Sequence, residues 1–415
     1  MAFLRLLFVL LSASATLCSF PPAHAQVAQP RCPRPPTVAQ VNLSAYAGRW
    51  FEVGTSARFK LQRENGLVCN QARYTLTGAA DSAGGAGTNG SGLSLGVENS
   101  GRLVASPAVL QSMASVAGNS RDACIALANV SSAAASAVQL LQSQPQAASA
   151  IADCSQVNAT NEFLNIGATS RTISASVSTI ASLAARISQL DFQASSLNVL
   201  ANQLLLQASA AADKAGQIAY AASRIQSASS NCSGSSAASD GTNTWAAVSA
   251  AAASIVESAN SLRDALNWVA AAVAPYAGSD IVSISLASIA SVPLPFGGIP
   301  TSVFGQAVPS TSDPAKLTVT FNLFPSASTE PNYWILALEG SAEQGYESAL
   351  VYSCTEPQGS DDPMPRIDVF VISRAPYMLE DELQELLGVL TGYGVVLGCD
   401  NPFVRTVQDS ARCGY

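Results

Sequence analysis

Two kinds of hydrophobic pattern divide the chain. Towards both ends, short segments rich in β-branched and aromatic residues are bounded by Gly, Pro, Asn or Asp, which is typical of β-strands. These segments are residues 50–54, 69–77, 317–324, 333–338, 348–354 and 367–373. Residues 379–390 place leucines on one face, which predicts an amphipathic helix after the last strand.

The middle of the chain has a different pattern. Residues 103–303 are rich in Ala and Ser, and no proline occurs in 146–274. Apolar residues recur at a 3,4 spacing through 173–225, which predicts a helix that faces another helix. Looser helical patterns at 108–144 and 244–274 extend this prediction to an antiparallel bundle of three to five helices. The alternative interpretation is a low-complexity stalk with partial helicity.

A family resemblance explains why the strands lie in two separated blocks. Residues 45–53 read AYAGRWFEV, and the later block runs through YWILALEG and ALVYSCT to FVISRAP. Residues 42–76 and 305–376 resemble the two parts of a lipocalin, and they are most similar to the group of apolipoprotein D with its bacterial and plant relatives. The resemblance implies an α+β multi-domain chain: an eight-stranded antiparallel up-and-down β-barrel, a C-terminal α-helix and an inserted α-helical bundle.

The predicted boundaries follow from these patterns. We expect a signal peptide at 1–25, a discontinuous lipocalin barrel at 26–102 and 303–415, and an Ala/Ser-rich helical insertion at 103–302. Residues 91–99 look like the third strand of the family and 303–307 resemble the fourth, so the insertion replaces the hairpin between them. In the family that hairpin lies at the open mouth of the cup, where the helices would form a lid, a receptor contact or a spacer.

The resemblance also assigns structural residues. Gly48 and Trp50 match the family motif, and Arg374 matches the arginine that packs over the tryptophan indole at the closed end of the barrel. Cys32 is implied to pair with Cys354, and Cys69 with Cys413. The remaining Cys124, Cys154, Cys232 and Cys399 allow three pairings that the sequence leaves open.

The interior of the cup is predicted from strand alternation. The match of Phe370 to an inward aromatic of the family also turns Ile372 inward, and the same alternation joins further positions to the wall. Tyr333 and Tyr352 offer hydroxyls that would orient the polar head of a ligand. The full predicted ligand-binding set is Tyr74, Leu317, Val319, Phe321, Tyr333, Tyr352, Phe370 and Ile372. The alternative is that these aromatics only fill the barrel, because eight strands enclose little space.

Export is predicted from the first residues. A short apolar run after Arg5 and the small-x-small pattern Ala23-His24-Ala25 are typical of a signal peptide. The eight cysteines that would remain after cleavage suggest disulfides in an oxidising compartment. Asn-x-Ser/Thr triplets at Asn42, Asn89, Asn129, Asn158 and Asn231 are compatible with glycosylation.

Composition argues against several classes of function. His24 is the only histidine of the chain, so a mature protein would have no Ser-His-Asp triad and no imidazole metal ligand. The net charge of −8 and the scattered arginines argue against a nucleic-acid partner. We predict no catalytic residues, no metal, no cofactor and no apolar run of membrane-spanning length beyond the signal peptide.

The predicted function is that of a secreted or lumenal lipocalin, not an enzyme, that carries a small hydrophobic ligand in the cup. Candidate ligands are a fatty acid, sterol, carotenoid, bilin or oxidised lipid. One alternative is a structural protein whose insertion acts as a surface spacer or contacts a receptor or a membrane surface. The other is an enzyme similar to the lipocalin violaxanthin de-epoxidase, in which carboxylates act on an epoxide.

Overall fold

The computed structural model describes residues 31–77, 93–104, 107–189, 195–233, 242–274, 277, 298–322, 330–357 and 364–414. The expected signal peptide at 1–25 and the triplet at Asn89 lie outside the described residues.

Eight strands of the described chain form a closed antiparallel barrel. They are β1 Gly48–Ser56, β2 Leu67–Thr77, β3 Ser94–Leu103, β4 Ile299–Pro309, β5 Lys316–Phe321, β6 Tyr333–Ser341, β7 Gly345–Thr355 and β8 Arg366–Ser373. Each strand pairs with the next along the chain, and β1 pairs with both β2 and β8, which closes the barrel. A ninth strand, β9 Phe403–Arg405, pairs with the end of β1. The predicted fold class is confirmed.

Helices occur before, within and after the barrel strands. They are α1 Leu43–Tyr46, α2 Ala57–Gln62, α3 Pro107–Ser143, α4 Pro145–Ser155, α5 Ala159–Ser188, α6 Ser195–Cys232, α7 Thr242–Val273, α8 Glu380–Gly392 and α9 Ser410–Cys413. The helix after the last barrel strand, predicted at 379–390, is α8. Its buried leucines Leu383, Leu386 and Leu390 pack on the outer face of the barrel.

The four long helices α3, α5, α6 and α7 form a bundle. Helix α3 contacts α5 and α7, and α6 contacts the same two helices, so the four form a ring. Consecutive long helices run antiparallel: the Ser229 hydroxyl near the end of α6 donates to the Trp245 carbonyl near the start of α7. This arrangement is the up-and-down topology of a four-helix bundle.

The 3,4 spacing through 173–225 belongs to two helices and not to one. Helix α5 ends at Ser188 and α6 begins at Ser195. Both helices bury apolar residues of the seam, Ile173 and Ile180 in α5 and Leu204 and Ile218 in α6. The period persists because both helices face the same core, so the hydrophobic spacing alone does not reveal the break.

The sequence analysis predicted no apolar run of membrane-spanning length beyond the signal peptide, and helix α3 contradicts that prediction. Within the described residues, Leu110–Ser143 is long and apolar enough to cross a membrane by length and composition. One face of α3, with Met113, Val116 and Leu127, is buried in the bundle core.

The strand ladder also takes residues from the predicted insertion. Strands β3 and β4 pair without interruption from Leu95 opposite Ala307 to Leu103 opposite Ile299. Residues 103 and 299–302 are therefore barrel residues. Residues 299–302 are exposed and partly polar, so they carry no alternating hydrophobic signal.

Disulfides join the parts of the fold. Both pairs implied by the resemblance, Cys32–Cys354 and Cys69–Cys413, are present. The sequence left three arrangements of the other four cysteines open, and the structure has the one with Cys154–Cys232 and Cys124–Cys399. The first bond lies within the bundle, and the second ties α3 to the C-terminal segment that packs on the barrel. These four bonds involve every cysteine of the described chain.

The junction bond Cys124–Cys399 leads to a first prediction. Replacing both cysteines by serine should lower the free energy of unfolding by about 2–4 kcal/mol. It should also speed hydrogen exchange at α2, because α2 contacts α3, the helix that carries Cys124. Denaturant unfolding and amide exchange would measure the two effects.

The matched control is the same double replacement at Cys154 and Cys232. This variant should lose stability in the bundle but keep the exchange protection of α2. Equal protection of α2 in both variants would show that the junction does not depend on the Cys124–Cys399 bond.

Candidate functional site

One end of the barrel is closed by the Gly48–Trp50 motif. The Trp50 ring is fully buried, and its Nε1 donates to the Tyr46 carbonyl at 2.8 Å. Gly48 has φ of +105°, and a Cβ at this position would stand 3.0 Å from the Arg374 guanidinium. Glycine is therefore required here both by the backbone conformation and by the approach of Arg374.

Arg374 holds this closed end together. Its guanidinium carbon lies 3.8 Å from the centre of the Trp50 ring, so the expected cation–π contact is present. Its nitrogens donate to five backbone carbonyls, those of Ala45, Tyr46, Ala47, Arg49 and Tyr346. Three of these carbonyls belong to the end of α1 and its cap, so the cation also satisfies a helix C-terminus.

The structure brings seven of the eight predicted wall residues together inside the barrel. Tyr74, Leu317 and Ile372 are buried there, and Val319, Phe321, Tyr333 and Phe370 pack against them with part of their surface accessible.

Tyr352 is a correction, because it lies on the outer face. Residues directly opposite on neighbouring strands share a face, and Tyr352 stands opposite Val369 while Val351 stands opposite Phe370. Tyr352 therefore points outward, packs against Trp334 and belongs to the cluster under α8. Its hydroxyl donates to the Pro33 carbonyl at 2.8 Å.

The interior of the barrel is fully packed next to Trp50 and partly accessible along another part of its wall. Next to Trp50, the small and branched residues Ala307, Ala315, Leu317, Ile335 and Ala349 have no accessible surface. Val319, Phe321 and Phe370 form an apolar wall that remains partly accessible. The interior of the barrel therefore has a packed floor below an apolar wall that is partly accessible.

Three tyrosine hydroxyls meet inside this cup. Tyr333 Oη lies 2.7 Å from Tyr46 Oη and 2.9 Å from Tyr74 Oη. Burial raises the pKa of all three hydroxyls well above its ordinary value, so each remains protonated near neutral pH. Tyr46 was missed in the sequence; its position four residues before Trp50 was the available signal.

Helix α2 lies at the opposite end of the barrel. Strand β1 starts at the closed end and runs directly into α2, so α2 lies at the mouth. Phe59 meets the wall residue Phe370 edge to face with ring centres 4.7 Å apart, and Ala57 and Leu61 pack into the core of the helical bundle. Strand β3 also ends at the mouth, because Leu103 pairs with Leu67 at the start of β2. The insertion therefore leaves the barrel beside α2.

A buried charge cluster anchors α2 in the mouth. Lys60 is fully buried, and its Nζ lies 2.7 Å from Glu52 and 2.5 Å from Glu64. Glu52 also accepts a hydrogen bond from Thr406 in the C-terminal segment. The cluster has two acids for one base, and desolvation followed by the charge of Glu52 raises the pKa of Glu64 to about 8. The sequence analysis did not single out these residues.

A second charged group joins α2 to the barrel rim. Arg58 is buried, with its guanidinium 4.0 Å from Asp368 on β8 and 3.8 Å from Asp400. Burial raises the pKa of Asp368, and the charge of Arg58 opposes that shift. From the bundle side, Arg121 donates to the Met364 carbonyl in the connection between β7 and β8. The helices are thus fixed over the mouth by polar as well as apolar contacts.

The described residues contain no group of three His, Cys, Asp or Glu side chains that is arranged to hold a metal ion.

Comparisons with known proteins add little to this geometry. No family model and no curated protein matches the chain. Among solved structures, that of lobster apocrustacyanin A1 is similar, with 16% sequence identity and a TM-score of 0.20 over 28% of this chain and 57% of the lobster chain. A likeness of that strength is no guide to function.

The barrel itself defines the class of fold. Eight antiparallel strands in chain order, a tryptophan and arginine at the closed end, and a helix packed on the outer wall constitute a lipocalin fold.

The charge cluster in the mouth predicts how stability depends on pH. In the unfolded chain Glu64 loses its proton near its ordinary pKa of 4.5, whereas the folded protein retains that proton up to about pH 8. Between these values the unfolded state binds fewer protons, so a rise in pH favours unfolding. We expect the free energy of unfolding to fall from pH 5 to pH 8, and Glu64→Gln to make that fall shallower.

Urea unfolding at pH 5, 6.5 and 8 would measure the slope. The matched control is Glu385→Gln, the same change at an exposed position of α8. An unchanged slope in Glu64→Gln would mean that Glu64 is already ionised in the folded protein.

Proposed function

We propose that the barrel binds and carries a small hydrophobic molecule, such as a fatty acid, sterol, carotenoid, bilin or oxidised lipid. The observation that carries this proposal is the graded interior, in which a packed floor lies below the accessible wall of Val319, Phe321 and Phe370. Each CH2 group that moves from water to such a wall contributes about 0.8 kcal/mol.

Binding, and not catalysis, is the proposed activity. The only histidine of the chain is His24, in the expected signal peptide. Of the acidic side chains near the mouth, Glu52 and Glu64 contact Lys60, and Asp368 and Asp400 face Arg58. This arrangement supports a structural role for these carboxylates in anchoring α2.

We propose that the protein works in an extracellular or lumenal compartment. The described residues contain four disulfides, and such bonds persist in oxidising compartments. The bonds Cys32–Cys354 and Cys69–Cys413 tie both ends of the described chain to the barrel. Such cross-links suit a carrier that works in an oxidising compartment.

The bundle is proposed to act as a fixed cover. Helix α2 contacts the wall through Phe59 and the bundle through Leu61, and Cys124–Cys399 links the bundle covalently to the C-terminal segment. A ligand in the cup would then be shielded from water by α2 and the helices above it.

Phe370→Asp tests the proposal. A carboxylate in the middle of the apolar wall opposes burial of an apolar ligand, so affinity should fall by at least about a hundredfold. Titration with diphenylhexatriene, a hydrocarbon whose fluorescence rises in apolar surroundings, would measure binding, and mass spectrometry of the natively purified protein would identify a bound molecule.

The matched control is Phe304→Asp. Phe304 lies on β4 and is 55% exposed on the outer face, so the same change there should leave affinity unchanged. Circular dichroism would verify that both variants fold. Undiminished binding by a folded Phe370→Asp variant would place the ligand elsewhere.

A further inference from the structure

The three tyrosine hydroxyls inside the cup supply one more hydrogen-bond donor than the bonds among them use. Tyr46, Tyr74 and Tyr333 supply three O–H groups, and two hydrogen bonds join their oxygens. Each of these bonds uses one O–H, so one O–H remains to be donated outside the trio. Among the described residues, the three hydroxyls bond only to one another.

Burial indicates which tyrosine presents that donor. Tyr46 is 0% exposed and Tyr74 is 5% exposed, whereas Tyr333 keeps part of its surface accessible. Tyr333 is also the central member, so its oxygen can accept from both neighbours while its own O–H turns towards the accessible part of the cup. Leu317 and Ile335, which flank it in the wall, offer no side-chain acceptor.

We propose that this donor binds the carbonyl oxygen at the buried end of the ligand. The inference rests on the proposed function, since it assumes that the cup holds an apolar molecule. It narrows the ligand class to apolar chains or rings with a neutral oxygen acceptor at one end. A neutral carbonyl suits the trio better than a carboxylate does, because no cation among the described residues is hydrogen-bonded to the hydroxyls and a buried anion would lose its hydration.

The protonation of the trio agrees with this assignment. Desolvation by burial raises the pKa of the Tyr333 hydroxyl well above its ordinary value, and the same holds for Tyr46 and Tyr74. All three groups are therefore donors across the physiological pH range.

A matched pair of ligands tests the inference in the full-length protein. We would displace bound diphenylhexatriene with 2-tridecanone and with tridecane, which have the same number of carbons and differ by the carbonyl. The ketone is expected to bind about tenfold more tightly, as one additional buried hydrogen bond implies. In Tyr333→Phe this preference should disappear while the affinity for tridecane stays the same, because the two hydroxyls that remain belong to the buried side chains of Tyr46 and Tyr74.

A variant on the outer face of the barrel serves as the control. Tyr352→Phe removes a hydroxyl from the outer face, and it should change nothing.

The outcomes separate this inference from the proposed function. Tight binding of tridecane and diphenylhexatriene without a preference for the ketone would overturn the assignment of the trio and leave the carrier proposal standing. A preference that survives Tyr333→Phe would also overturn it. Failure of every probe to bind to the folded protein would overturn both.

Discussion

Leu103 and Ile299 stand opposite each other on neighbouring strands, and this pairing constrains the rest of the molecule. A chain segment that leaves and re-enters a sheet at adjacent positions must return to its starting point. An even number of long antiparallel helices satisfies this requirement, and the described insertion has four of them, with the short α4 as a connection. The barrel can then close as if a hairpin joined β3 and β4.

Helix α2 is where the two units become one structure. It has six residues, too few to be stable alone, and it is held by packing on two sides. Phe59 faces the cup, Leu61 faces the bundle, and Lys60 contacts Glu52 and Glu64. Because one small element completes both cores, a change in the bundle reaches the mouth of the cup through α2.

The sequence predicted the position of a residue correctly where the geometry of the fold allows that residue only one role. Gly48, Trp50 and Arg374 form the closed end that the family resemblance implies, and Phe370 carries Ile372 inward by alternation. The prediction for Tyr352 was wrong because the pairing of a strand with its neighbours decides which of its residues face inward, and the sequence does not give that register. The break near Ser188 was hidden because two helices share one seam, and Lys60 gave no signal because its partners come from other parts of the fold.

The closed end and the wall contribute different parts of recognition. Arg374 makes five hydrogen bonds to backbone carbonyls around Tyr46, which fixes the position of that hydroxyl and, through it, that of Tyr333. Phe370, Phe321 and Val319 offer apolar surface without directional bonds. In the proposed carrier the wall would therefore determine how much apolar surface a ligand buries, whereas the hydroxyls at the floor would determine which end enters first and would add affinity only for a ligand with an oxygen acceptor.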